Sequence, residues 1–302
     1  MSITPVLNQI LMLMLIMLIG LLLRKRDILG DQGMKAINTV VLSVAWPAMV
    51  LSLTQREGER IASQDFLWML LVSGLVFFVS SLAVCFLYAR KLPERKQAVY
   101  AALCGMPNTG FVGLPIVQAA YGAQGVLYLT ACIVSFNLVW WTLFVRLFGG
   151  RAKLSQLLKN IGLMASVAAV LLYVYQIKIP EPFVSTVHQL GVLNTPLTML
   201  LLGARLPELW PPQTLKDQHM WSSLGVRLIG MPLIVSVLLR LLGISGLPLQ
   251  VLTLVCALPC ANSVQLFAEK YGKDYALASK AISLSLLLCV ITIPLVMLVT
   301  GI

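Results

Sequence analysis

Charge is what this sequence has least of. Only 11% of its 302 residues are charged, against roughly a quarter in ordinary soluble domains, while 59% are apolar and the mean hydropathy is +0.91. That deficit excludes a soluble fold and points to an all-α polytopic membrane protein. Acid is scarcer than base: the chain holds eleven Asp and Glu residues, and none falls in the middle of an apolar run. A proton relay built on a midmembrane carboxylate therefore has no candidate. Histidine is almost absent, with His188 and His219 both near loops. The six cysteines all lie inside apolar runs without a Cys-x-x-Cys pair, which supports neither a disulfide framework nor a zinc site and suits small buried filler. There is no Gly-x-Ser-x-Gly and no phosphate loop ending in Gly-Lys-Ser or Gly-Lys-Thr. Neither catalysis nor a cofactor nor a metal is expected.

What the chain does have is apolar runs long enough to span a bilayer. Ten are read, near 5–23, 35–53, 66–89, 97–120, 124–147, 158–176, 186–204, 221–242, 247–269 and 274–300. The first has no basic residue before it and Arg24, Lys25 and Arg26 after it, with no small-residue cleavage motif, so it is read as a retained span. With both termini outside the cell, 18 of the 22 Lys and Arg residues fall on the cytoplasmic side, leaving Arg56, Arg60, Lys178 and Arg240 outside. The positive-inside rule favours this orientation in the cell membrane. It also accounts for the net charge of +11 without nucleic acid as a partner.

Two of the runs contain clusters of helix breakers. "CGMPNTGFVGLPIVQAAYG" (Cys104 to Gly122) lies in segment four and "CALPCANSVQLFAEKYG" (Cys256 to Gly272) in segment nine. Both read Cys-x-x-Pro, pass through a polar patch and close on Tyr-Gly. A weaker echo pairs "NTVVLSVAWP" from Asn38 with "NTPLTMLLLG" from Asn194. Similar halves of five spans each, residues 1–150 and 151–302, must face opposite ways, because five is odd. Inverted repeats of this kind place substrate near the bilayer midplane, where discontinuous helices meet. A proline removes a donor and blocks the preceding turn, so backbone groups on either side lose their helical partners. In lipid that loss is costly; beside a polar cavity the freed groups become ligands, and half-helix N-termini suit a carboxylate. One such motif alone fits a proline-kinked helix in contact with a neighbour. The matched pair favours a site, and Pro107, Asn108, Thr109, Gly110, Pro259, Asn262 and Ser263 are its expected residues, with Cys260 at the place equivalent to Asn108.

At these residues the chain resembles the auxin efflux carrier family, which includes plant auxin transporters and bacterial carboxylate carriers. "PNTGFVGLP", "ALPCANSVQLFAEKYG" and the closing "SLSLLLCVITIPLVML" carry the likeness, which extends over essentially the whole chain. It implies that helices four and nine cross at Pro107 and Pro259, with Asn108 and Asn262 helping to bind a carboxylate. The two asparagines depart from equivalence: Asn108 follows its proline directly, whereas Asn262 lies three residues beyond Pro259. The resemblance further implies a scaffold of segments 1, 2, 6 and 7 that forms a homodimer, and a mobile body of segments 3–5 and 8–10 that moves like an elevator. Ser43 in segment two would then face the crossing, as would Trp46 unless it is an interfacial or dimer-contact aromatic.

Arg227 and Lys280 sit about two turns inside the cytoplasmic starts of segments eight and ten. They either snorkel to lipid headgroups or line an inner cavity and draw in anions. Asn137 in segment five is expected to bond across to another helix. The expected function is secondary transport of small organic anions, carboxylates such as malate, malonate or auxin-like acids. The alternative is a membrane receptor that binds the same anions without moving them. Sodium coupling is compatible with a site of carbonyl, Asn, Ser and Thr oxygens.

Overall fold

The computed structural model describes residues 4–55, 61–150, 161–209 and 216–302. Arg56, Arg60, Arg151, Lys153 and Lys159 of the charge count lie outside the described residues, as do Glu57 and Glu59. Among those described every regular element is helical. Six runs are long and apolar enough to cross a membrane alone: Thr4–Lys25, Asp31–Leu53, Ser63–Lys91, Thr109–Leu147, Gln218–Leu241 and Tyr275–Thr300. The chain is an integral, all-helical membrane protein.

We number the helices α1 (Thr4–Lys25), α2 (Asp31–Leu53), α3 (Ser63–Leu87) and α4 (Glu94–Gly105). The run from Thr109 to Leu147 turns at Gly122, whose φ of 63° and ψ of −154° are non-helical, and is divided there into α5 (109–121) and α6 (123–147). Then come α7 (Ile161–Val174), α8 (Phe183–Val192), α9 (Asn194–Arg205), α10 (Gln218–Leu241), α11 (Gly246–Ala257), α12 (Ser263–Lys270) and α13 (Tyr275–Thr300). The run expected over 97–120 is thus two pieces, α4 and α5, and that over 247–269 is α11 and α12. Segment seven is two pieces meeting at Leu193.

Three helices open into a wide π turn just before a proline. Val41–Ala45 precedes Pro47, Thr109–Gly113 precedes Pro115, and Val226–Gly230 precedes Pro232. The cause is local: a proline offers no N–H to the carbonyl four residues back and its ring crowds that carbonyl, so the turn widens instead of closing.

Packing follows small residues and apolar stripes. Helix α1 buries Val6, Ile10, Leu13, Met17 and Gly20, a single face at helical spacing, against α9. A β-carbon on Gly20 would strike the backbone of Leu200, and one on Gly203 the backbone of Met17, so the two helices meet backbone to backbone. Helix α2 packs on α7 and α8, while α3 lies against α4 and α6. The most deeply buried stretches are the last two turns of α4, the body of α6 and nearly all of α11. Leu11, Leu15 and Leu18 on α1, with Leu71, Leu75 and Val79 on α3, are exposed. In a bilayer such faces meet acyl chains or another apolar surface.

Candidate functional site

The two breaker clusters meet. Helix α4 stops at Gly105 because Pro107 cannot continue it, and α11 stops at Ala257 ahead of Pro259. The strands of chain left between the half-helices run antiparallel and pair as an isolated β-bridge between Pro107 and Cys260. The Asn108 amide donates to the Pro259 carbonyl at 2.9 Å and the Ala261 amide to the Met106 carbonyl at 3.1 Å. The Cys260 amide donates to Ser285 Oγ at 3.1 Å. Several amides that the sequence leaves free after the prolines are therefore spent on holding the crossing together, as buried backbone donors must be.

Side chains then become the free groups. Asn108 caps α5, its Oδ1 accepting the Phe111 amide at 3.2 Å, and its Nδ2 donates to Asn262 Oδ1 at 3.3 Å. The two motif asparagines are in contact in spite of their different offsets from proline. Next to them opens a cavity of about 320 Å³ between α2, α5, α6, α9 and α12. Pro107, Asn108, Thr109, Gly110, Asn262 and Ser263 line it. Its walls are aromatic, with Trp46, Phe111, Phe136, Trp140, Trp141 and Phe267. Trp46 is wedged over Gly110, where a β-carbon would overlap the indole ring, and it packs against Phe111 with ring centres 5.2 Å apart and planes tilted by 48°. Trp46 thus faces the crossing.

Four polar atoms in this lining are buried without a hydrogen-bond partner: Thr109 Oγ1, Thr198 Oγ1, Ser263 Oγ and Trp140 Nε1. Unpaired buried polar groups cost about 1–3 kcal/mol each, a cost that a polar ligand in the cavity would relieve. Asn137 also reaches the cavity and donates to Ser166 Oγ on α7 at 2.7 Å, the interhelical bond expected of it.

Other expected residues lie elsewhere. Pro259 and Cys260 are buried in the bridge behind the cavity and do not line it. Ser43 is exposed on α2, and it is its neighbours Leu42 and Trp46 that reach the cavity. Lys280 is half-buried on α13, away from the lining. Arg227 neither snorkels nor faces the cavity: it is wholly buried, with 0% of its surface exposed.

The cations that line the cavity are Arg205, at the end of α9, and Lys270, at the end of α12. Arg205 donates to Tyr275 Oη at 3.0 Å, and Gln265 donates to the same oxygen at 2.6 Å. Lys270 lies 5.5 Å from the centre of the Tyr271 ring. Sequence reading counts both only as cytoplasmic charges. The available signal was their place in the last turn of helices adjoining the motifs. Among the described residues no Asp or Glu lines the cavity, and no group of three His, Cys, Asp or Glu could hold a metal. Two cations, neutral amides and hydroxyls and aromatic walls are the chemistry that suits an anion with an organic body.

The comparisons agree with a transport role. The chain matches the family described as "Membrane transport protein" over residues 5–162 and 154–297. An uncharacterized transporter of Methanothermobacter thermautotrophicus is 25% identical over 95% of this chain and 96% of its own length. One from Methanocaldococcus jannaschii is 23% identical over 91% and 92%. The uncharacterized transporter YfdV of Escherichia coli is 25% identical, covering 95% of each chain.

Proposed function

This chain belongs to the membrane transport protein family, that of the auxin efflux carriers it resembles, and we propose that it is a secondary carrier of small organic anions, carboxylates foremost. The observation that carries the reading is the Asn108–Asn262 contact at the crossing of two broken helices, set in a cavity whose lining, among the described residues, has two cations and no carboxylate. Arg205 and Lys270 draw the anion in, and the neutral amides and hydroxyls of Asn108, Asn262, Thr109 and Ser263 hold its carboxylate at the crossing. The aromatic walls take its organic body.

The architecture proposed for this work is ten spans in two inverted repeats, residues 1–150 and 151–302, with both termini outside the cell. Helices α1, α2, α7, α8 and α9 form the scaffold, and the remaining helices move past it as an elevator. The packing of α1 on α9 and of α2 on α7 and α8 supports that partition. The scaffold is also the proposed homodimer surface, its exposed leucines on α1 meeting a second copy or lipid.

The test is binding and counterflow by purified protein in liposomes across malate, malonate, 2-oxo acids and indole-3-acetate. One class of acid should raise Tm and drive counterflow. Asn108→Ala should weaken that response at least tenfold, since a hydrogen bond to a charged group contributes roughly 1.5–3 kcal/mol. An unchanged response in the variant would remove the crossing as the site. Binding without counterflow would make the protein a receptor.

A further inference from the structure

Arg227 is the most buried charge described in the molecule, and the anion site does not use it. It leaves α10 from the π turn Val226–Gly230 and points between the two crossing helices. One terminal nitrogen, Nη1, donates to the carbonyl of Cys104 at 3.1 Å; the other, Nη2, donates to the carbonyl of Cys256. These two carbonyls are not arbitrary. Cys104 is the penultimate residue of α4 and Cys256 the penultimate residue of α11, and they are the matching first residues of the two Cys-x-x-Pro motifs. A single guanidinium therefore bridges corresponding points of the two halves.

The charge balance has a physical explanation. No carboxylate pairs with Arg227 among the described residues, whose three ion pairs are all elsewhere. A helix C-terminus carries roughly half a negative charge on its unpaired carbonyls, so two such ends facing one point supply about the full charge that a guanidinium needs. In carriers built from discontinuous helices, these carbonyl-bearing ends are also where a coupling cation binds. We infer that Arg227 occupies the place of a coupling cation, a built-in charge that holds the α4 and α11 ends together and makes the carrier indifferent to sodium. It is a positioning residue: it never touches the substrate, and it moves with the crossing.

This inference rests on the proposed broken-helix crossing but not on the identity of the anion, so its test needs no substrate. Tm of the purified protein is measured with sodium, and with choline or N-methylglucamine in its place, at constant ionic strength. The wild type should show the same Tm in all three. Arg227→Ala should melt lower and regain at least half the loss in millimolar methylguanidinium, which should leave the wild type unchanged. Arg227→Gln keeps a donor toward the carbonyls without the charge and should melt as low as the alanine variant, whereas Arg227→Lys should recover part of the loss. Saturable stabilisation of the wild type by sodium would overturn the inference, as would a glutamine variant as stable as the wild type. A destabilised alanine variant deaf to methylguanidinium would do the same. Where Arg227→Ala does not accumulate, the wild-type cation series and the Gln and Lys variants decide. Failure of every acid to bind, with these results intact, would count against the anion reading alone.

Discussion

Arg205 lines the cavity from the end of α9, tied to Tyr275, and in the proposed carrier it is one of the two cations that would attract an arriving anion. Its contribution is long-range attraction more than contact, so removing it should affect capture more than turnover. Arg205→Gln is expected to raise KM several-fold with a smaller change in kcat, and the gap between variant and wild type should narrow as salt is raised. Equal losses in kcat and kcat/KM, independent of salt, would place Arg205 in the transport step instead. The sequence shows this site unevenly. Pro107, Asn108, Thr109, Gly110, Asn262 and Ser263 were legible because breaker clusters recur at matching places in two apolar runs, which a single kinked helix does not explain, and all six line one cavity. Arg205, Lys270 and Arg227 were not, because hydropathy fixes how deep a residue lies but not which way around its helix it points. Ser43, which only the resemblance placed at the crossing, is exposed on α2 where the π turn at Val41–Ala45 widens the helix, and Leu42 and Trp46 line the cavity instead.

At the level of elements, the start of α10 shows how a helix end is fixed against a neighbour. Asp217 caps α10 by accepting the His219 amide at 2.9 Å, and accepts from Lys96 Nζ of α4 at 3.0 Å. Burial pushes its carboxyl up, but the Lys96 and backbone hydrogen bonds and the Lys96 charge outweigh it, leaving the group below the ordinary value of 3.8. A carboxyl depressed in the folded state stabilises fully above its unfolded value and loses that contribution as pH falls through its folded one. Asp217→Ala should therefore cost about 1 kcal/mol at neutral pH. Its Tm deficit should shrink as the medium is taken well below pH 3.8. Asp217→Asn, which can still cap, should lose less. A deficit that stays constant through the acid range would mean that the carboxylate charge plays no part. The broken helices themselves were readable as elements, since two prolines in matching positions interrupt two spans. The bridge between them was not, because antiparallel pairing of Pro107 with Cys260 joins residues more than 150 positions apart and leaves no periodicity in either stretch.

For the whole molecule, the proposed motion divides the hydrogen bonds into those that travel with the moving body and those that must break. Ser73 on α3 donates to Ser135 Oγ on α6 at 2.9 Å, and both helices belong to the body proposed to move. Asn137 on α6 donates to Ser166 Oγ on the scaffold helix α7 at 2.7 Å, so this bond crosses the sliding boundary. Both pairs are in side-chain hydrogen-bond contact, which brings cysteines in their places near enough for cross-linking to be tried. Oxidising Asn137→Cys with Ser166→Cys should trap one orientation and reduce counterflow to the level of empty liposomes, with recovery on reduction. Oxidising Ser73→Cys with Ser135→Cys should leave counterflow near that of its reduced form, because the link moves with the body that carries the anion. The native cysteines are buried apart from the half-buried Cys85, and the reduced form of each variant controls for them. Counterflow that survives a complete Asn137–Ser166 cross-link would mean that α6 and α7 do not slide, and the elevator would give way to a local gate at the crossing. Loss of counterflow from both cross-links would point to internal flexibility of the moving body, and the boundary would then have to be redrawn between α3 and α6.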